Sequence, residues 1–292
     1  ISPTWFRLNG SKGDFASIAS SEYVGTAHSL GMKVWGLVKN FDTGSEVDTY
    51  RVLSHTSSRD RLTDGLVQEA ISFGLDGINV DFEMLSVETG PHFIQFLREL
   101  SVKCRRNGLV LSVDNYVPAS YNRFYDYAEQ GAIVDYVIIM AYDEHTSVSD
   151  SAGSVASIGY VEKAIADTLA MVPAEKIVVG LPFYTRLWKE TSQNDVTAVS
   201  IAETPFMKNV EKLVTEKGAA PVWDETAAQY YAEYEEDGAL FRIWLEEERS
   251  IGEKMKRVVQ NGLAGVAAWR LGQEKADVWA VIGQYLDGSG GE

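Results

Sequence analysis

Residues Asp76-Gly77-Ile78-Asn79-Val80-Asp81-Phe82-Glu83 alternate apolar with polar from Ile78 onward. A β-strand has a side-chain period of two, so Ile78, Val80 and Phe82 share one face and Asn79, Asp81 and Glu83 the other. Helical patterns flank the segment on both sides, the setting of a parallel sheet buried on both faces. An amide and two carboxylates are not ordinary core there, because a buried carboxylate is costly unless it is paired or used. The competing reading, a half-exposed strand with a polar outer face, fits the flanking pattern poorly.

Along most of the chain, short apolar runs alternate with amphipathic helical patterns, the mark of βα units. Strands are expected at 3–8, 33–38, 77–82, 109–114, 134–142, 176–182 and 265–269. Helices are expected over 21–30, 60–73, 91–107, 121–130, 161–171 and 251–261. Pro91 suits a first helical turn and Asn107-Gly108 a helix stop. Seven strands are one short of a (β/α)8 TIM barrel. The missing one is expected in the irregular stretch 42–58 or, preferably, upstream of Ile1, because the chain starts without Met and enters a strand at once. On this reading it is a segment of a longer protein. From 191 to 250 the pattern changes: a Tyr-rich run leads to Glu236-Asp237-Gly238, a good hairpin turn. A small α+β insertion before the last strand is expected. The domain layout is then a discontinuous catalytic barrel (1–190 and 249–286), an insertion (191–248) and a disordered tail (287–292).

The net charge of −16, from 26 basic and 42 acidic residues, argues against nucleic acid and anionic membrane as partners. Seven Trp and 14 Tyr suit stacking on flat apolar faces such as those of sugar rings. The single Cys104 excludes an internal disulfide framework and a cysteine-rich zinc site. The four histidines lack paired metal-ligand spacing, and there is no nucleophile elbow or phosphate loop. A hard cation on Asp81 and Glu83, with Asp114 and Asp143 recruited, is conceivable, but the expectation is no metal and no cofactor. No apolar run reaches membrane-spanning length.

The motifs resemble glycoside hydrolase family 18, the family of many chitinases. Asp76–Glu83 is similar to its Asp-Gly-x-Asn-x-Asp-x-Glu signature. Met140-Ala141-Tyr142-Asp143 resembles its Met-x-Tyr-Asp, Gly180-Leu181-Pro182-Phe183-Tyr184-Thr185-Arg186 its seventh-strand motif, and Gly265-Val266-Ala267-Ala268-Trp269 its last strand. Four motifs in order, spanning most of the chain, make the resemblance specific. Ser2-Pro3-Thr4-Trp5-Phe6 and Leu187-Trp188 resemble a bacterial branch containing spore cortex-lytic N-acetylglucosaminidases.

The resemblance implies a retaining hydrolase of β-1,4-linked N-acetylglucosamine glycans, of peptidoglycan or chitin type, acting as a monomer. Residues 81 and 83 lie about 7 Å apart on one strand face, but this family is substrate-assisted and does not use its second carboxylate as the nucleophile. It implies Glu83 as general acid and base, Asp81 as the group that holds the substrate's acetamido N–H, and Tyr142 as donor to the acetamido oxygen. Trp269 would floor the sugar subsite. Asn79 stands where chitinases carry an aspartate that shares protons with the one two residues later. An amide removes a negative charge, so Asp81 is expected to escape like-charge repulsion and the pH profile to differ. Asn79 is itself a substrate-contact candidate, as are Met140, Tyr184, Arg186, Asn115 and Trp5, these five each with a packing or ion-pairing alternative. Asp143 either caps the following loop or touches substrate. Asp76 is expected to be structural. The branch motifs tilt the substrate toward peptidoglycan and the location toward the cell exterior, cell wall or spore envelope. The alternative is a non-catalytic carbohydrate-binding relative, against which stands the presence of Glu83.

Overall fold

The computed structural model describes residues 1–40, 47–193 and 196–286. The chain divides into two units, Ile1–Ile138 with Thr168–Ile177, and Ile139–Asp167 with Val178–Glu292.

The first unit opens with β1 (Thr4–Asn9) and β2 (Asp14–Ser17), an antiparallel pair, then α1 (Ser21–Ser29) and β3 (Trp35–Lys39). Next come α2 (Thr49–Ser54), α3 (Thr56–Phe73), β4 (Gly77–Asp81), α4 (Gly90–Arg106), β5 (Val110–Tyr116), α5 (Tyr127–Ile133) and β6 (Tyr136–Met140). Pairings β1–β3, β3–β4 and β4–β5 are parallel. Local signals explain the helix ends. Ser20 accepts the Tyr23 N–H at the start of α1, Gly74 closes α3 at φ 72°, and Pro91 sits in the first turn of α4, as the sequence suggested. The helix expected over 121–130 is broken. A 3-10 turn, Ser120–Tyr125, ends at Asp126, whose φ of 51° stops the helix and whose carboxylate then caps α5.

Both faces of β4 are buried. Ile78, Val80 and Phe82 form its helix-facing side, and Phe82 stacks on Phe96 of α4 at 5.4 Å and 5°. The expected two-sided strand is therefore present. Asp76 pins the strand's start as a structural residue. It accepts the Val34 N–H at 2.8 Å and pairs with His28 at 2.8 Å and Lys33 at 3.0 Å. The described part of stretch 42–58 contains no strand. It forms α2 and the first turn of α3, while 41–46 lie outside the described residues.

The second unit holds α6 (Ile158–Leu169), most of β7 (Ile177–Pro182), and the strands β8 (Leu187–Gln193) and β9 (Val196–Glu203). It continues with α7 (Met207–Glu216), β10 (Val222–Asp224), β11 (Gln229–Glu236), β12 (Ala239–Leu245), α8 (Glu248–Gln260), β13 (Gly265–Trp269) and α9 (Val278–Leu286). β13 pairs parallel with β7. Strands β10-β11-β12-β8-β9 make an antiparallel sheet. Its hairpin at Asp237-Gly238 has φ of 51° and 73°, the left-handed pair that a tight two-residue turn requires. Leu187, Ile243, Leu245 and Ala232 of this sheet pack on Val210 and Val214 of α7. The sheet starts at Leu187, which pairs with Ile243, so this small β-rich element begins before position 191. The tail at 287–292 lies outside the described residues.

A buried ion pair ties α8 to β12. Lys254 reaches both oxygens of Glu246 at 2.5 and 2.7 Å, with both side chains almost inaccessible to water. Gln229 and Ser250 donate to the same carboxylate, and Ser154 donates to Gln229. In the first unit β5-β4-β3-β1-β2 lie side by side in that order, and in the second β13 lies beside β7.

Candidate active site

The polar side of β4 leads, in the first unit, to a group of acids near the strand's carboxyl end. Asn79 is almost fully buried. Ser112 donates to its Oδ1 at 2.7 Å, and its Nδ2 donates to Asp114 Oδ2 at 2.8 Å. Register pairs Asn79 with Ser112 and Val80 with Val113. One step further sets Asp81 beside Asp114 on strands about 4.8 Å apart. Burial first, then the charge of Glu83, pushes the Asp81 carboxyl up to about 7, and Lys39 opposes them. Asp114 is also raised, by burial and then by Asp81. The amide at position 79 has therefore not relieved Asp81 of crowding by other acids. A carboxyl from β5, which no local pattern in β4 could reveal, stands in its place.

Glu83 lies just beyond β4, and its backbone is clamped. Its N–H donates to Asn40 Oδ1 and its carbonyl accepts from Asn40 Nδ2, both at 2.9 Å. Asn40 is itself buried. The next residue, Met84, turns with φ of 53°. Tyr125 spans this turn, donating to the Phe82 carbonyl at 3.2 Å and accepting the Leu85 N–H at 3.3 Å. The Tyr116 hydroxyl accepts the Met84 N–H at 3.3 Å, and burial and the nearby Glu83 charge push its pKa up. Sharp turns held by side chains on three other elements project Glu83 from the strand end at a defined angle.

In the second unit, Asp143 turns the chain after Tyr142 with φ of 61°. Its Oδ1 accepts the Tyr184 hydroxyl at 2.5 Å and Arg186 Nη2 at 2.7 Å. Asp143 is therefore ion-paired rather than a cap, and Arg186 takes the pairing role held open for it. The Tyr142 ring meets Tyr184 edge-on at 6.3 Å. Gly180 makes this possible, since a Cβ there would fall 3.1 Å from the Tyr142 ring and 3.0 Å from the Ile139 carbonyl. Met140 is half-buried at the end of β6. Trp269 ends β13 with 43% of its surface exposed, a large ring turned to solvent.

Two candidates take up the packing alternative in this structure. Asn115 is buried and exchanges hydrogen bonds with Gln130 of α5, at 2.6 and 3.2 Å. Its parity places it with Leu111 and Val113, away from Asp114, so it braces the helix and does not face the acids. Trp5 lies near the amino end of β1, not its carboxyl end, and packs edge-on against Tyr23 of α1 at 5.3 Å. Both are packing residues. Among the described residues no group of three or more His, Cys, Asp or Glu is placed to hold a metal ion, and no helix is long and apolar enough to cross a membrane.

A sequence model of glycosyl hydrolases family 18 matches residues 39–274, most of the chain. The chain belongs to glycosyl hydrolase family 18. It is 30% identical over 226 residues, 76% of its length, to YdhD of Bacillus subtilis, whose name provisionally makes it a sporulation-specific glycosylase. It is 29% identical over 243 residues, 81% of its length, to the cortical fragment-lytic enzyme of the same species. The matches cover 53% and 56% of those proteins, so the chain spans about half their length. A chitinase structure from Chromobacterium violaceum superposes with a TM-score of 0.84 at 26% identity, covering 98% of this chain and 90% of that one. The fold is accordingly α/β, of the (β/α)8-barrel kind with a small β-sheet insertion. Within family 18 the chain resembles the bacterial branch of sporulation-specific and cortex-lytic glycosylases.

Proposed function

We propose that this family 18 member is a retaining, substrate-assisted hydrolase of β-1,4-linked N-acetylglucosamine glycans. The observation that carries the reading is the clamped Glu83 at the end of β4, two residues beyond an Asp81 carboxyl raised to about 7. Glu83 protonates the glycosidic oxygen and then activates water. The substrate's acetamido carbonyl attacks the anomeric carbon, and the configuration is retained. Asp81 accepts the acetamido N–H and stabilises the oxazolinium charge as it develops. Tyr142 donates to the acetamido oxygen, held in place by the packing around Gly180 and Tyr184. Trp269 offers an exposed ring for sugar stacking. Within the second unit, Asp143, Arg186 and Tyr184 hold one another in place beside Tyr142.

The names of the relatives favour peptidoglycan over chitin as the substrate, and the cell exterior, wall or spore envelope as the location. The protein acts as a monomer in this reading. Proton NMR of the first products from a chitin oligosaccharide tests the mechanism. The β-anomer should appear first, and Glu83→Gln should yield none. An α-anomer as first product would rule out acetamido participation, and a folded wild type that binds without cleaving would mark a carbohydrate-binding protein.

A further inference from the structure

Asp114 is the carboxyl that the family resemblance did not supply. Asn79 is locked by Ser112 on its oxygen side and gives its N–H to Asp114 Oδ2. The other Asp114 oxygen and Asp81 Oδ1 are both buried and have no hydrogen-bond partner among the described residues. Two adjacent carboxyls with unpaired buried oxygens are the arrangement in which one proton is shared, because both cannot ionise cheaply. An aspartate at position 79 would instead set a second negative oxygen against Asp114. The amide on β4 and the acid on β5 therefore suit each other.

We propose that Asp114 is a positioning residue for Asp81, the two forming a dyad that shares one proton across adjacent strands. It does from β5 what the resemblance assigns to an aspartate at position 79. Resting on the hydrolase reading above, the dyad carries one proton and one negative charge. When Asp81 accepts the substrate's acetamido N–H, the shared proton stays on Asp114, and Asp81 meets the forming oxazolinium as a carboxylate. No proton leaves the pair. The other ionisable groups around it are Glu83 beyond β4, Lys39 on β3 and Tyr125, which feels the Asp81 and Glu83 charges, with Tyr116 of β5 beside Glu83. On the far side of β5, β6 has only Tyr136 as a titratable group, and its ring stacks on Trp35.

The test compares Asp114→Asn, Asn79→Asp and the double variant, with thermal melts to establish folding. Asp114→Asn should lower kcat at least tenfold with KM within about twofold, and should shift the pH profile of kcat. Asn79→Asp alone should also lose activity, and the double variant should recover most of it by returning the acid to β4. An unchanged pH profile with kcat within twofold in Asp114→Asn, or no recovery in the double variant, overturns the proposal. Carboxyl carbon-13 NMR reads the dyad without any substrate. Wild type should show two coupled aspartate titrations, one of them missing in Asp114→Asn, and an ordinary titration of Asp114 also overturns the proposal. Should wild type cleave no glycan, the hydrolase reading falls, while the NMR titration still decides the dyad.

Discussion

At the scale of single residues, the acids near the end of β4 are held at an energetic disadvantage. Burial, then the Glu83 charge, pushes the Asp81 carboxyl up to about 7 in the folded protein, against about 3.9 for a free aspartate. Below the free value both folded and unfolded chains hold the proton, and folding pays nothing for it. As pH rises, the unfolded chain releases its proton first, so the folded state loses stability until about pH 7, where the penalty levels off. Asp81→Asn should therefore melt little differently from wild type at pH 4 and distinctly higher at pH 8, by about 2–4 °C per kcal/mol relieved. Scanning calorimetry at the two pH values checks it, and equal differences at both would contradict the assignment. Asn40 acts on the other acid. Asn40→Ala removes both bonds to the Glu83 backbone. Activity should drop about 10- to 100-fold, since displacements near 1 Å at a reacting group have that effect. Stability should fall by about 1–3 kcal/mol, read from steady-state kinetics and urea melts.

At the scale of elements, much was legible and the exceptions have physical causes. The alternation in Ile78–Glu83 identifies both faces of β4, because a period of two leaves no other arrangement. Asn115 was readable by the same rule, since it continues the apolar row of Leu111 and Val113. Asp114 was not readable, because its bond to Asn79 depends on register between strands 35 residues apart. No local pattern specifies such a register. Asn40 and Tyr125 were hidden for the same reason, each touching the 82–85 turn from 43 or 40 residues away. The break at Asp126 needs a non-glycine residue at positive φ, which sequence rarely betrays. The buried pair of Lys254 and Glu246 gives a prediction at this scale. Lys254→Met should cost about 3–5 kcal/mol in urea denaturation by stranding a buried carboxylate. Pairing it with Glu246→Leu should recover a large part of that loss, and an additive double variant would show that the two groups do not act as a pair.

At the scale of the whole molecule, the order of the motifs was more telling than any one of them. Four segments spread from position 76 to 269 match one family, and the family model covers 39–274. The seven expected strands correspond to β1, β3, β4, β5, β6, β7 and β13, and β2, an antiparallel partner to β1, is too short to show a period. The insertion was visible through its hairpin and its aromatic run, whereas β9 and α7 lacked a clear signal. The deciding measurement is mass spectrometry of the products from cortex peptidoglycan and from chitin oligosaccharides, with wild type and Glu83→Gln. Cleavage after N-acetylglucosamine by wild type, absent in the variant and stronger on cortex peptidoglycan, is the predicted result. Intact glycans of both kinds after incubation with a folded wild type, or equal cleavage by Glu83→Gln, would contradict it.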